Sequence, residues 1–88
     1  MMLVGKVVGN IVATRKNEKL IGNKFLIVEP CDNMSVKGNL IAIDNVGAGI
    51  GEIVLVAVGS AARIGCDAET APIDAAIVGI VDDADGLV

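Results

Sequence analysis

The sequence predicts an all-β protein, built as a small five-stranded barrel. Three observations lead to this prediction. Five short apolar runs are separated by turn residues, the apolar residues are mainly valine, isoleucine, leucine and alanine, and no segment keeps helical periodicity between helix caps. Short strands at this spacing are typical of a closed or nearly closed barrel. With 88 residues the chain is expected to be one domain, 1–88.

The first apolar run extends from Met2 to Thr14 and contains Gly5 and Gly9. Gly9-Asn10 could form a two-residue hairpin turn, or the two glycines could be bulges in one bent strand. The bent strand is favoured, because arms of three or four residues would make a weak hairpin.

The remaining strands follow from the same pattern of apolar runs and breakers. A run from Lys24 to Glu29 is stopped by Pro30, which cannot donate a backbone hydrogen bond. The other predicted strands are Asn39–Asp44, Glu52–Val58 and Ala75–Val81. We expect loops at Arg15–Asn23 and Cys31–Gly38, at most a short helical turn within Ala61–Ala71, and an extended or mobile tail at 81–88.

The composition predicts an oligomer. Hydrophobic residues make up 53% of the chain, the mean hydropathy is +0.70, and Phe25 is the only aromatic residue. A monomer this small cannot bury so much apolar surface, so association with further copies of the chain is expected.

The charge excludes several partners. The net charge is −4 with no basic tract, which is unfavourable for nucleic acid or an anionic membrane surface. No apolar run is long enough to span a bilayer and no signal peptide is evident, so a cytoplasmic protein is expected. Cys31 and Cys66 are then expected to remain thiols.

The most informative segment is DNVGAGIGEIVLVAVGSAAR, from Asp44 to Arg63. Its G-x-G-x-G spacing is followed by the strand-like EIVLVAV instead of a helix, and no P-loop lysine is present, so a phosphate-binding loop is disfavoured. The alternate glycines indicate a tight turn or bulge where backbones approach closely. Asp44, Glu52 and Asp74 flank strand ends, where acids often accept hydrogen bonds from turns.

Catalytic and metal-binding groups are not evident. The chain lacks histidine, the two cysteines have no base to activate them, and Asp82, Asp83 and Asp85 do not have the spacing of a calcium loop. We therefore expect no enzyme activity, no cofactor and no metal. Arg63 is either a surface residue or a bridge to an acid of the same or a neighbouring subunit.

Four segments together resemble the EutN/CcmL family of bacterial microcompartment vertex proteins: VGKVVGNIVATRK, KFLIVEP, IAIDNVGAGIGEIVLVAVGSAAR and PIDAAIVGIVD. The resemblance covers nearly the whole chain. It implies an OB-like barrel that assembles into a pentameric ring and caps the vertices of a polyhedral shell, such as a carboxysome or an ethanolamine-utilization compartment. The facets of such shells consist of hexameric shell proteins, and the vertex protein itself is not a catalyst.

The resemblance also implies roles for particular residues. Those expected at subunit contacts or near the axial pore are Asp44, Gly47, Ala48, Gly49, Gly51, Glu52, Gly59, Ser60 and Arg63. The stretch Thr14, Arg15 and Lys16 is interpreted first as the start of a solvated loop, and only second as a contact to other shell proteins. Alternatives are a six-fold ring, a co-chaperonin-like ring, and a barrel that binds a small ligand or an oligonucleotide.

Overall fold

A computed structural model describes residues 1–12, 24–31, 38–44, 46–59 and 74–82. These residues form five strands: β1 (Met2–Ile11), β2 (Lys24–Pro30), β3 (Leu40–Asp44), β4 (Ile53–Val58) and β5 (Ala75–Ile80). All five lie within two or three residues of the predicted boundaries. Within the described ranges no helix is long and apolar enough to cross a membrane.

The strands close into a barrel in the order β1-β2-β3-β5-β4, and β4 pairs with β1. Neighbours are antiparallel except β3 and β5, which run parallel through Ile43 opposite Ala76 and Asp44 opposite Ile77. Closure leaves few unpaired strand edges, which in an open sheet of this composition would invite aggregation. The predicted OB-like five-stranded barrel is therefore confirmed.

β1 is one bent strand, as predicted, but only one of its two glycines lies at a bulge. Its register against β2 shifts between Val7 and Gly9. Gly5 instead lies where two backbones approach closely. A Cβ at this position would come within 2.6 Å of Val28 Cγ1 and 2.7 Å of the Glu29 carbonyl oxygen. Gly5 is therefore required by packing, and the bend in β1 is made at Val8.

The barrel interior is filled by aliphatic side chains. Alternate residues point inward, as the pleat of a strand requires, and the largest fully buried side chains are Ile77, Val7, Val28, Val54 and Val56. Burial of each contributes on the order of 1.5–3 kcal/mol. Phe25, the only aromatic residue, is half-buried and does not belong to this core cluster, whose described members are aliphatic.

The two ends of the barrel differ. At one end Val58 donates a backbone hydrogen bond to Met1 (2.8 Å) and Gly59 donates one to Asp74 (2.7 Å). At the other end, β3 stops at Asp44 and the chain turns back to begin β4 at Ile53. This second end carries the candidate site. Cys31 is a half-buried free thiol, whereas Cys66, Ala61–Ala71 and residues 83–88 lie outside the described residues.

Candidate functional site

The candidate site is the connection between β3 and β4, which we call the glycine loop and define as residues 46–52. Asp44, the last residue of β3, anchors the loop. Its side chain is buried, Oδ1 accepts backbone hydrogen bonds from Val46 (3.0 Å) and Gly47 (3.2 Å), and Oδ2 accepts one from Ala48 (2.9 Å). One carboxylate thus fixes three consecutive amides of the loop. Hydrogen bonds to a charged acceptor are stronger than neutral ones.

Lys24 adds a positive charge beside the buried carboxylate. Its Nζ lies 3.7 Å from Asp44 Oδ2, and the two residues are directly paired across β2 and β3. The lysine side chain is 63% exposed whereas that of Asp44 is 0% exposed. Because the lysine is hydrated, most of the compensation for burying the carboxylate comes from the three amides.

Glu52 closes the other half of the loop. Its Oε1 accepts a hydrogen bond from the Gly49 amide (2.6 Å), and its own amide donates to the Gly49 carbonyl (3.1 Å). The backbone bond spans four residues with Gly51 in the third position at φ +93°, which is the geometry of a type II turn. Asp44 and Glu52 therefore both act as turn acceptors, as predicted, whereas at Asp74 it is the backbone carbonyl that accepts a hydrogen bond, from Gly59.

The loop is also attached to β1. Gly51 donates a backbone hydrogen bond to the Val7 carbonyl (2.8 Å), and Val7 donates one to the Glu52 carbonyl (2.9 Å). This pair lies next to the bulge at Val8. Hydrogen bonds thus hold the glycine loop to Asp44, to the neighbouring strand β1, and between its own residues. The conformation of the loop is therefore preorganised for binding.

Two of the three alternate glycines have the backbone conformation that favours glycine. Gly47 has φ +88° and Gly51 has φ +93°, both in the left-handed region. Gly49 is not in that region. A Cβ there would come 3.4 Å from Glu52 Oε1, so Gly49 leaves room for the glutamate. The tight turn expected of the alternate glycines therefore depends on the backbone angles of Gly47 and Gly51, and not on that of Gly49.

The side chains of the glycine loop divide between the core and the surface. Ala48 is buried at 2% exposure and joins the core cluster, whereas Val46 and Ile50 are 43% and 64% exposed. Within the described residues no group of histidine, cysteine or carboxylate side chains could hold a metal ion. A rigid loop that presents two aliphatic side chains to solvent is suited to bind another protein surface.

The structure brings together only part of the predicted set. Asp44, Gly47, Ala48, Gly49, Gly51 and Glu52 all belong to this one loop and its anchor. Gly59, at φ +80°, lies at the far end of β4. Six strand residues separate it from the loop, about 20 Å at roughly 3.3 Å per residue. Ser60, Arg63, Thr14, Arg15 and Lys16 lie outside the described residues.

Sequence reasoning missed Val46, Ile50 and Lys24. A signal for the first two was present, because each is a large aliphatic residue next to a glycine, where a solvent-exposed turn normally carries polar residues. No local signal pointed to Lys24. It meets Asp44 only through the pairing of β2 with β3.

Comparison with known proteins gives concordant matches over nearly the full length. The family model described as "Ethanolamine utilisation protein EutN/carboxysome" matches residues 2–82. The bacterial microcompartment shell vertex protein GrpN of Rhodospirillum rubrum (strain F11) is 46% identical over 83 residues, which is 92% of this chain and 93% of GrpN.

Solved structures agree with this match. The structure titled "GrpN pentameric microcompartment shell protein from Rhodospirillum rubrum" superposes with a TM-score of 0.82 at 44% identity, covering 94% of this chain and 96% of that one. The CcmL structure from Nostoc sp. PCC 7120 superposes with a TM-score of 0.86 at 40% identity, covering 97% and 94%.

Proposed function

This chain belongs to the EutN/CcmL family, and from that premise we propose that it forms a homopentamer that caps the vertices of a bacterial microcompartment shell. One observation carries the proposal. The match to the pentameric GrpN structure covers 94% of this chain and 96% of that chain. Because the matched region includes all five strands of the barrel, the pentameric assembly named for GrpN is proposed for this barrel.

The proposed role is structural. The similar proteins are named for a position in a shell, both in microcompartments (PduN and EutN) and in carboxysomes (CcmL). Their names describe where the protein sits and not a reaction. The place of action is accordingly the shell.

We assign the glycine loop to the contact between neighbouring subunits, near the five-fold axis. The loop is held in one shape by Asp44, Glu52 and Val7, and it exposes Val46 and Ile50. Burying these two side chains against the next subunit removes apolar surface from water without the cost of ordering the loop.

Gly59, Ser60 and Arg63 are proposed as a second part of the same interface. A closed ring uses heterologous contacts, so one subunit presents two different surfaces to its two neighbours. Gly59 lies at the opposite end of β4 from the glycine loop, and this separation fits such an arrangement. Arg63 would pair with an acid across the interface. We expect Arg63→Ala to weaken the ring on dilution more than Lys19→Ala does. If both variants lost the same amount of ring stability, the assignment of Arg63 to the interface would be wrong.

We further propose that the pentamer contacts hexameric shell proteins through the segment that includes Thr14, Arg15 and Lys16. A shell tiled by hexamers is flat and closes only where five-fold units are inserted, so each pentamer must meet hexamers along its sides. Two adjacent basic residues suit contacts with carboxylates of such neighbours.

The test is co-expression with a hexameric shell protein, followed by native mass spectrometry and electron microscopy. The proposal predicts a pentamer in isolation and closed polyhedral shells in the co-expression. Omitting the chain should leave open sheets or tubes. A monomer at micromolar concentration, or shells that close equally well without this chain, would contradict the proposal.

A further inference from the structure

The barrel closes on a short ladder between β3 and β5. These two strands are parallel, and in the described residues they share two residue pairs, Ile43 opposite Ala76 and Asp44 opposite Ile77. The other four ladders are antiparallel and have five or six pairs each. Parallel pairing is also slightly less stable per residue than antiparallel pairing. We call the ladder between β3 and β5 the seam.

Opening of the seam leaves every other ladder in place. The strand order is β1-β2-β3-β5-β4 with β4 paired to β1, so an open barrel is still a continuous five-stranded sheet, with β3 and β5 at its edges. The seam includes the buried carboxylate of Asp44, which can bond to water once the seam is open. Exposure of Ile43 and Ile77, which are buried in the closed barrel, opposes the opening.

β5 stays with β4 when the seam opens, because backbone hydrogen bonds hold it there beyond both ends of the strand. Gly59 donates to the Asp74 carbonyl (2.7 Å) before β5 begins, and Val81 donates to the Ile53 carbonyl (2.8 Å) after it ends. Separation of β5 from β3 is therefore the opening that breaks the fewest bonds.

The glycine loop crosses the barrel end next to the seam. It connects β3 to β4, which lie on opposite sides of β5, and its residue Ala48 belongs to the same core cluster as Ile77. Asp44 holds three loop amides at one end, and Gly51 is bonded to Val7 of β1 at the other. These bonds link the end of β3 to β1, so β3 cannot leave β5 while they are intact.

We propose that the glycine loop is a strap that keeps the barrel closed, and that the seam opens locally when the hydrogen bonds between the loop and Asp44 break. β1, β2 and β4 stay folded in this opening. Local openings of this kind have a lower free energy than global unfolding. A partner that binds the ordered loop slows the opening, because it binds the closed barrel better than the open one. The inference concerns the single barrel and does not depend on the ring.

The inference is tested by hydrogen exchange of the full chain at one fixed protein concentration, followed by NMR in low concentrations of denaturant. The amides bonded across the seam should exchange at least about tenfold faster than the slowest amides of β1 and β2. Their exchange should also depend less on denaturant, because a local opening exposes less surface. Equal rates with equal denaturant dependence would mean that the seam opens only in global unfolding, and the inference would be wrong.

Two variants separate the strap from general destabilisation. Asp44→Asn weakens a contact that is lost in the open form, so it should accelerate the seam amides about tenfold and the β1 and β2 amides as well. The matched control is Gly5→Ala, whose Cβ would lie 2.7 Å from the Glu29 carbonyl oxygen. The β1–β2 contact persists in the open form, so Gly5→Ala should accelerate the β1 and β2 amides and leave the seam amides unchanged.

Two results with these variants would overturn the inference: equal acceleration of both sets of amides in Gly5→Ala, or no acceleration of the seam amides in Asp44→Asn. If Gly5→Ala does not fold, Ile27→Ala replaces it, because Ile27 packs over Gly9 between the same two strands. If Asp44→Asn does not fold, Gly47→Ala replaces it, because a Cβ at φ +88° with no atom within 4 Å strains the loop alone. The same results decide the inference with either replacement.

The test is independent of the proposed function. Native mass spectrometry verifies that the compared variants contain the same number of subunits. A chain that is not pentameric would contradict the vertex function and leave the strap in place, whereas a seam that opens only in global unfolding would remove the strap and leave the vertex function in place.

Discussion

Removing the Asp44 carboxylate should destabilise the glycine loop and, through it, the barrel. In Asp44→Ala the amides of Val46, Gly47 and Ala48 lose their acceptor. The bond from Ala48 is buried, whereas those from Val46 and Gly47 are part-buried. Water can replace the carboxylate for the two part-buried amides but not readily for the third.

The expected loss follows from these environments. A buried amide left without an acceptor costs about 1–3 kcal/mol, and each bond exchanged for water costs about 0.5–1 kcal/mol. The sum is about 2–5 kcal/mol in the free energy of unfolding. Asp44→Asn should lose less, about 1–3 kcal/mol, because its amide oxygen still accepts from Val46 and Gly47 while its NH2 group faces the Ala48 donor.

Lys24→Met is the matched control. The Lys24 side chain is 63% exposed and lies 3.7 Å from the carboxylate, so removal of its charge should cost less than about 1 kcal/mol. Unfolding in denaturant at one fixed protein concentration measures the losses, since assembly makes apparent stability depend on concentration. Hydrogen exchange of the three amides measures the local opening of the glycine loop. If Asp44→Ala lost no more stability than Lys24→Met, or if these amides exchanged as slowly as before, the carboxylate would not be what holds the loop.

Two further predictions concern glycines that are required for different structural reasons, a positive φ in one case and close approach of two strands in the other. Gly51→Ala places a Cβ at φ +93° and should lower the free energy of unfolding by about 1–2 kcal/mol. Gly49→Ala should lower it less. Equal shifts of the thermal unfolding temperature in the two variants would contradict the assignment of Gly51 to its positive φ. Gly5→Ala brings a Cβ within 2.7 Å of a backbone oxygen and should cost about 1–3 kcal/mol or more. Gly79→Ala, whose nearest atom is 3.9 Å away, should unfold at nearly the same denaturant concentration as the unmodified chain, and a comparable loss in both variants would argue against close strand approach at Gly5.

Much of the fold was predictable because its signals are local. Turn residues mark the ends of each apolar run, and Pro30 ends β2 for a covalent reason. Asp44 and Glu52 were identified as turn acceptors because short-range hydrogen bonds depend on spacing along the chain. The bent form of β1 followed from the shortness of the arms that a hairpin would have.

The remaining features depend on pairing between distant segments. The bulge was expected at Gly5 and Gly9, but the register shift lies between Val7 and Gly9, and Gly5 has a packing role. Apolar residues occur on both faces of several strands, so alternation could not distinguish the inside from the outside. Only the register of β1, β2 and β3 shows that Ile27 lies over Gly9 while Ile41 is left exposed.

The sequence by itself determined that this chain is a small, apolar, five-stranded barrel with a glycine-rich turn, because composition and turn chemistry act over a few residues. The tertiary structure alone decided that the turn is tied to Val7, that Lys24 meets Asp44, and that Gly59 lies at the opposite end of β4 from the glycine loop. These relations depend on which strands pair and in which register. Register is set by the packing of the whole barrel and not by any one segment.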